Sequence, residues 1–205
     1  MMNFNIQELI LLMVPVLFSI TVHEVSHGYA AYRMGDPTAK AAGRLTLNPV
    51  KHIDVIGLLV LFLTRMIGWA KPVPVNPAYF RNPRKGMMWV SVAGPISNLA
   101  LACVFAVVYK MSAGFLSSSY LYPLVFMMEF MIGINVGLAI FNLIPIPPLD
   151  GSHILEGLLP ADMARAYSAI APYGFVILLV LIFTRVVDYL IFPIINTIVS
   201  ILLSV

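Results

Sequence analysis

The sequence predicts an all-α polytopic membrane protein, on two observations. Of its 205 residues 60% are hydrophobic and only 10% charged, and the mean hydropathy is +0.95, far from soluble averages. The apolar residues also fall into runs long enough to cross a hydrocarbon core of about 30 Å as helices. Too little polar sequence remains for a separate soluble domain, so residues 1–205 read as one domain.

The first run extends from Leu9 to Tyr32, about 24 residues, and is broken only by HEVSH at 23–27. MMNFNIQEL before it has no basic flank and no small-residue cleavage site follows, so this span is expected to be retained rather than removed as a signal peptide. GDPTAKAAGRLTLNPVKHID comes next, punctuated by Gly and Pro, and its RLTLN at 44–48 alternates like a short β element. Residues 53–68 carry an apolar run of about 13 residues, about 20 Å of helix, which is too short to cross and predicts a re-entrant or interfacial segment. KPVPVNPAYFRNPRKG, with four prolines, is an extended connector. MMWVSVAGPISNLALACVFAVVYKM is a full span, and LYPLVFMMEFMIGINVGLAIFNLIPIPPLDG is another that ends in a proline-rich turn. Two C-terminal apolar runs, about 172–184 and 186–204, follow a short amphipathic stretch, giving C-terminal helices over about 161–205. The expected total is about five full transmembrane helices plus the one re-entrant segment.

Charge sets the orientation. Nine of the twelve Lys and Arg residues fall between Arg33 and Lys85. If residues 53–68 crossed the bilayer, these charges would be split between its two sides, against the positive-inside rule. If the segment dips in and returns, residues 33–85 are cytoplasmic, the N-terminus is outside, and the uncharged SAGFLSSSY loop is external. The expected location is the plasma or inner membrane, with HEVSH toward the cytoplasmic side. No basic run alternates with aromatics, so the bilayer is the expected partner and nucleic acid is not. Cys103, the only cysteine, sits in an apolar run, which excludes an internal disulfide.

HEVSH carries the chemistry. On a helix His23 and His27 stand one turn apart on one face with Glu24 beside them. Two imidazoles so spaced hold a zinc ion, while the carboxylate manages the proton of the attacking water. The alternative is a buried His/Glu cluster that hydrogen-bonds between helices. A catalytic zinc usually takes three protein ligands. Among Asp54, Glu129, Asp150, Glu156, His52 and His153, the best placed third ligand is Asp150, where NLIPIPPLDG unwinds near the cytoplasmic face. Asp150 would equally serve as the cap of a helix beginning at Ser152.

Three motifs in order, HEVSH, GPISN (94–98) and N-x-x-P-x-P-P-L-D-G (142–151), resemble the signatures of site-2 protease type intramembrane zinc metalloproteases. The resemblance covers a core of about residues 9–155 and points to the small, minimal bacterial or archaeal members. It implies one Zn2+ per chain held by His23, His27 and Asp150, Glu24 as general base, and a transmembrane protein as substrate, cut within or beside its membrane span. The chain departs from larger relatives in carrying no PDZ or CBS domain, in the apolar segment at 56–67, and in a proline doublet before LDG.

Four further residues carry two readings each. Asn142 and Asn98 lie in apolar helical sequence, where an amide either polarises the scissile carbonyl, the role favoured for Asn142, or bonds between helices, the role favoured for Asn98. His52 and His153 would either support the ligands and supply a late proton or sit at the interface for solubility. RLTLN would offer an edge to an unwound substrate or serve only as a connector. Two functions of other classes fit the composition, a zinc or proton transporter using the His/Glu cluster and an inactive scaffold. The absence of an internal repeat argues against the first, and the complete set of chemical residues against the second.

Overall fold

Helices account for nearly all the regular structure in a computed structural model that describes residues 6–64, 68–112 and 122–204. In chain order they are α1 (Ile6–Arg33), α2 (Thr38–Ala41), α3 (Val55–Thr64), α4 (Pro83–Ser112), α5 (Tyr122–Asn142), α6 (Asp150–Leu158), α7 (Ala161–Ser168), α8 (Ala171–Phe183) and α9 (Val186–Leu203). Three of them, over 83–112, 123–142 and 186–203, are long and apolar enough to cross a membrane. A fourth span results if α7 and α8, bent by 64° at their junction, are taken together. α1 has the length to cross as well, about 42 Å at 1.5 Å per residue, and carries the polar interruption in its second half.

α1 ends where the sequence allows a left-handed residue. Gly35 has φ 102°, its N–H donates to Tyr32 O, and the N–H of Asp36 reaches back to Ala31 O. The same pattern closes α2 at Gly43, φ 64°, with Arg44 N–H donating to Ala39 O. The tight turn places Asp36, fully buried, between α2 and the extended connector. Its carboxylate accepts from the Thr38 hydroxyl and amide and, at 2.7 Å, from the Asn76 amide. Burial alone would raise its pKa, but the Thr38 hydroxyl and the amides of Asn76 and Thr38 outweigh it and hold the carboxyl below its ordinary range.

No strand forms at 44–48, contrary to the alternating pattern. Arg44 is buried with its guanidinium donating to Lys71 O at 2.6 Å, and Asn48 turns the chain by accepting from Val50 N–H ahead of a 3-10 turn at Pro49–His52. The alternation has no partner strand to pair with. The only bridge among the described residues joins Ile53 and Ala70 antiparallel, with Lys71 N–H donating to His52 O. The two ends of the segment that holds α3 therefore lie side by side. α3 itself has ten residues, about 15 Å, and is capped by Asp54, which accepts from Gly57 N–H.

α4 is the central helix and packs against α1, α5 and α6. α5 gives way at Asn142 to a turn holding Pro145, Pro147 and Pro148, and Gly151 lets that turn fold back on α6, since a Cβ there would collide with the carbonyls of Leu143 and Ile144. α6 begins at Asp150, with Leu149 in the capping position and no side chain capping the amides. The capping role for Asp150 is thereby set aside, and its carboxylate is free for other partners.

Candidate metal centre

α1, α4 and the start of α6 bring His23, His27 and Asp150 together, the one group of metal-ligating side chains found among the described residues. His23 and His27 meet because they are one helical turn apart, and their rings cross edge to face with centroids 4.6 Å apart. Asp150 arrives from α6 because the proline turn redirects the chain. His23 Nε2 lies 3.2 Å from Asp150 Oδ2, His27 Nε2 lies 3.3 Å from the same oxygen, and the two Nε2 atoms are 3.0 Å apart.

Each imidazole is fixed from behind. His23 Nδ1 faces Asn98 Oδ1 at 2.6 Å and His27 Nδ1 faces Val90 O at 2.8 Å, both acceptors, so each Nδ1 carries the proton. With neutral rings, both Nε2 lone pairs and the carboxylate then point at one another. Asp150 Oδ2 is moreover buried with no hydrogen-bond donor. That arrangement is repulsive unless a cation or added protons sit among the three atoms. Zinc fits: ligands at about 2.0–2.2 Å in a tetrahedron stand about 3.3–3.5 Å apart, close to the triangle seen here. Two imidazoles and one carboxylate also leave one corner open, as catalytic zinc sites require.

Space for the rings comes from Gly94. A Cβ there would stand 2.5 Å from His23 Cε1 and from His27 Cε1 and Nε2. Next to it, Pro95 has no N–H to donate, so the Ser91 carbonyl one turn back lacks its helical donor. Glu24 stands beside the ligands, and its Oε2 accepts from the amide of Val73 at 2.8 Å. Residue 73 belongs to the extended connector, which is pressed onto α1 at Gly28, one turn further on. A side chain at Gly28 would meet Leu45 and Val73 at 2.8 Å.

The other four sequence-predicted residues lie outside the triangle. Asn98 is fully buried and has no hydrogen left for a substrate carbonyl. Its oxygen accepts from His23, and its amide donates to Asn135 Oδ1 at 2.8 Å and Ser19 O at 3.3 Å. It is bonded between helices, and one of its partners is His23 of the triangle. Asn142 donates to Leu138 O on its own helix at 2.9 Å. Neither His52 nor His153 hydrogen-bonds a residue of the triangle. His52 is buried and pairs through Nε2 with Thr46 O, bracing the connector, while His153 is half-exposed, 3.8 Å from Glu156, in a cavity lined by Pro147, Pro148 and Tyr167. The ring nitrogens behind His23 and His27 are met by Asn98 and the Val90 carbonyl. Main-chain partners such as Val90 and Val73 leave no mark in sequence. Asn135 does, as an amide in an apolar helix, yet the sequence reading does not single it out.

Comparison with known proteins agrees with this chemistry. The model of peptidase family M50 matches residues 117–182. The chain is 41% identical over 188 residues to "Putative zinc metalloprotease YwhC" of Bacillus subtilis, covering 90% of this chain and 85% of that protein. It is 32% identical over 181 residues to "Putative zinc metalloprotease Rip2" of Mycolicibacterium smegmatis, covering 85% of this chain and 67% of that one. No solved structure gives a significant match. With most of both chains aligned to the Bacillus protein and the site-2 protease motifs in their expected order, the chain belongs to peptidase family M50.

Proposed function

We propose that the chain is a zinc-dependent intramembrane endopeptidase that hydrolyses a peptide bond in or near a transmembrane segment of a membrane-protein substrate. The observation that carries the reading is the convergence of His23 Nε2, His27 Nε2 and Asp150 Oδ2, within 3.3 Å of one another, beside Glu24. These three residues hold one Zn2+, and the names of the relatives support zinc as the metal. When bound, zinc supplies a Lewis acid that lowers the pKa of water and polarises a peptide carbonyl. Glu24 takes the proton of the attacking water and passes it to the leaving amine. The Val73 amide holds the carboxylate in place beside the ligands. Asn142 keeps one N–H hydrogen beyond its bond to Leu138 O, and we assign that donor to the scissile carbonyl.

The test is metal analysis of the purified chain together with cleavage of a model transmembrane substrate. About one zinc per chain, cleavage abolished by a chelator and restored by zinc are expected. Cleavage that survives complete removal of the metal would refute the reading.

The membrane arrangement belongs to the same proposal. α1, α4, α5, the α7–α8 pair and α9 are the five spans of one domain, with the core at about 9–155, and residues 53–68 dip into the cytoplasmic leaflet. Pairing of Ile53 with Ala70 supports a segment that returns to the side it left. In a Cys103→Ala background, Lys40→Cys and Asn82→Cys should both react with an impermeant thiol reagent only when the cytoplasmic face is open. Ser118→Cys, at a position outside the described residues, should react from outside. Labelling of positions 40 and 82 from opposite faces would overturn the dip.

A further inference from the structure

We propose that Asn135 is a positioning residue that, acting through Asn98, dictates which nitrogen of His23 carries the proton and so keeps Nε2 free for metal. The inference rests on His23 being a zinc ligand.

Hydrogen-bond polarity fixes the direction of the network. A primary amide has a donor end and an acceptor end, so a buried chain of amides has a direction set by whatever anchors it. Here the anchors are main-chain carbonyls, which only accept. Asn135 Nδ2 lies 2.8 Å from Met131 O, one turn back on α5, and 2.8 Å from Ser19 Oγ. Its donor end is thereby committed, and Oδ1 is the end presented to Asn98. Asn98 must answer with its own NH2, at 2.8 Å, and a second carbonyl, Ser19 O at 3.3 Å, accepts the other hydrogen. That leaves Asn98 Oδ1 facing His23 Nδ1 at 2.6 Å, where only a donor is satisfied. The imidazole must hold its proton on Nδ1, and the lone pair falls on Nε2, the atom 3.2 Å from Asp150.

Ser19, Asn98 and Asn135 are all fully buried, so water cannot substitute for a missing partner. Without Asn135 the orientation of Asn98 would rest on the longer Ser19 O contact alone. A flipped Asn98 would aim NH2 at His23 Nδ1, drive the ring proton to Nε2 and block the ligand atom. His27 needs no such relay, because its Nδ1 faces a main-chain carbonyl directly. Three helices thus cooperate to set one tautomer: α5 supplies the anchor, α4 the relay and α1 the ligand.

Two variants and one spectroscopic readout test this on the full chain. Asn135→Leu has the same branching and number of heavy atoms and no polar atoms. Asn135→Asp keeps an acceptor toward Asn98 and, protonated, a donor toward Met131 O. Zinc affinity, measured by competition with a chromogenic chelator, should fall about 10- to 100-fold in Asn135→Leu and stay within about threefold of the parent in Asn135→Asp. In zinc-stripped, 15N-labelled protein, the ring nitrogens of His23 should report the Nδ1–H tautomer in the parent and in Asn135→Asp, and a mixture in Asn135→Leu. Parent-like zinc affinity and tautomer in Asn135→Leu, with only a lower melting temperature, would reduce the residue to packing and overturn the proposal. An Nε2–H His23 in the zinc-stripped parent would overturn it as well. Should Asn135→Leu not fold, the tautomer in the parent and in Asn135→Asp decides alone. A parent that takes up no zinc would refute the metal site itself, and the tautomer measurement, made without metal, would still judge the relay.

Discussion

Replacing Glu24 with Gln is expected to cut the cleavage rate at least about a hundredfold while zinc content stays at the parent level. The two side chains are nearly isosteric, and the Gln carbonyl still accepts from the Val73 amide, so the connector remains docked on α1. What is lost is basicity: an amide cannot take the proton of the attacking water. Because Glu24 is outside the triangle of His23, His27 and Asp150, its replacement leaves all three ligand atoms in place. The measurement is a single-turnover cleavage rate on a defined transmembrane substrate, alongside metal analysis of the same sample. A transporter built on these residues would show altered zinc flux and no proteolysis in either form. Parent-like cleavage by Glu24→Gln would remove the general base from the mechanism.

A loss of similar size, by a different route, is expected of Gly94→Ala. In an exposed helix interior this substitution stabilises by about 1 kcal/mol. Here the sign reverses. The new methyl would stand 2.5 Å from both imidazoles, and neither ring can step back without leaving Asn98 Oδ1 or Val90 O. The rings must turn, the triangle opens, and a displacement of about 1 Å at such a centre costs about a hundredfold in rate. Zinc affinity should fall with it, which separates this variant from Glu24→Gln. Gly133→Ala on α5 is the matched control, since among the described residues no neighbouring element comes within 4 Å of a Cβ there, and it should bind zinc and cleave like the parent. Parent-like zinc affinity in Gly94→Ala would mean that the rings are not packed on α4 as described.

The parts of the site legible in sequence are those written in side chains at fixed spacing. His23, Glu24 and His27 share a helix, so their mutual geometry follows from 3.6 residues per turn. Asp150 is legible one level less directly, because the break at Pro145, Pro147 and Pro148 marks where the backbone leaves the helix. The short β element misleads because alternation reports two faces without reporting a neighbour. Arg44 goes inward to a main-chain carbonyl and Asn48 starts a turn, so RLTLN never pairs. The two asparagines show the same limit. Sequence places Asn98 and Asn142 in apolar helices, but only the packing of α4 on α1 puts Asn98 behind His23 and leaves Asn142 bonded to its own helix. Partners that are carbonyls or amides of the main chain, Val90 O and Val73 N, are the same atoms in every residue and carry no sequence signal at all.

The Val73 amide also fixes which side of its own peptide faces Glu24. With Glu24 as the proposed general base, a strip of the enzyme's own extended chain lies against it. In a trans peptide the N–H and C=O point in opposite directions. With the Val73 N–H aimed at Glu24, the carbonyl of Pro72, the other half of that peptide unit, faces away from the carboxylate. The bond following Val73 leads into Pro74, a tertiary amide with no hydrogen to offer. The chain thus shows the proposed base the back of its own nearest peptide, with that peptide's carbonyl turned away.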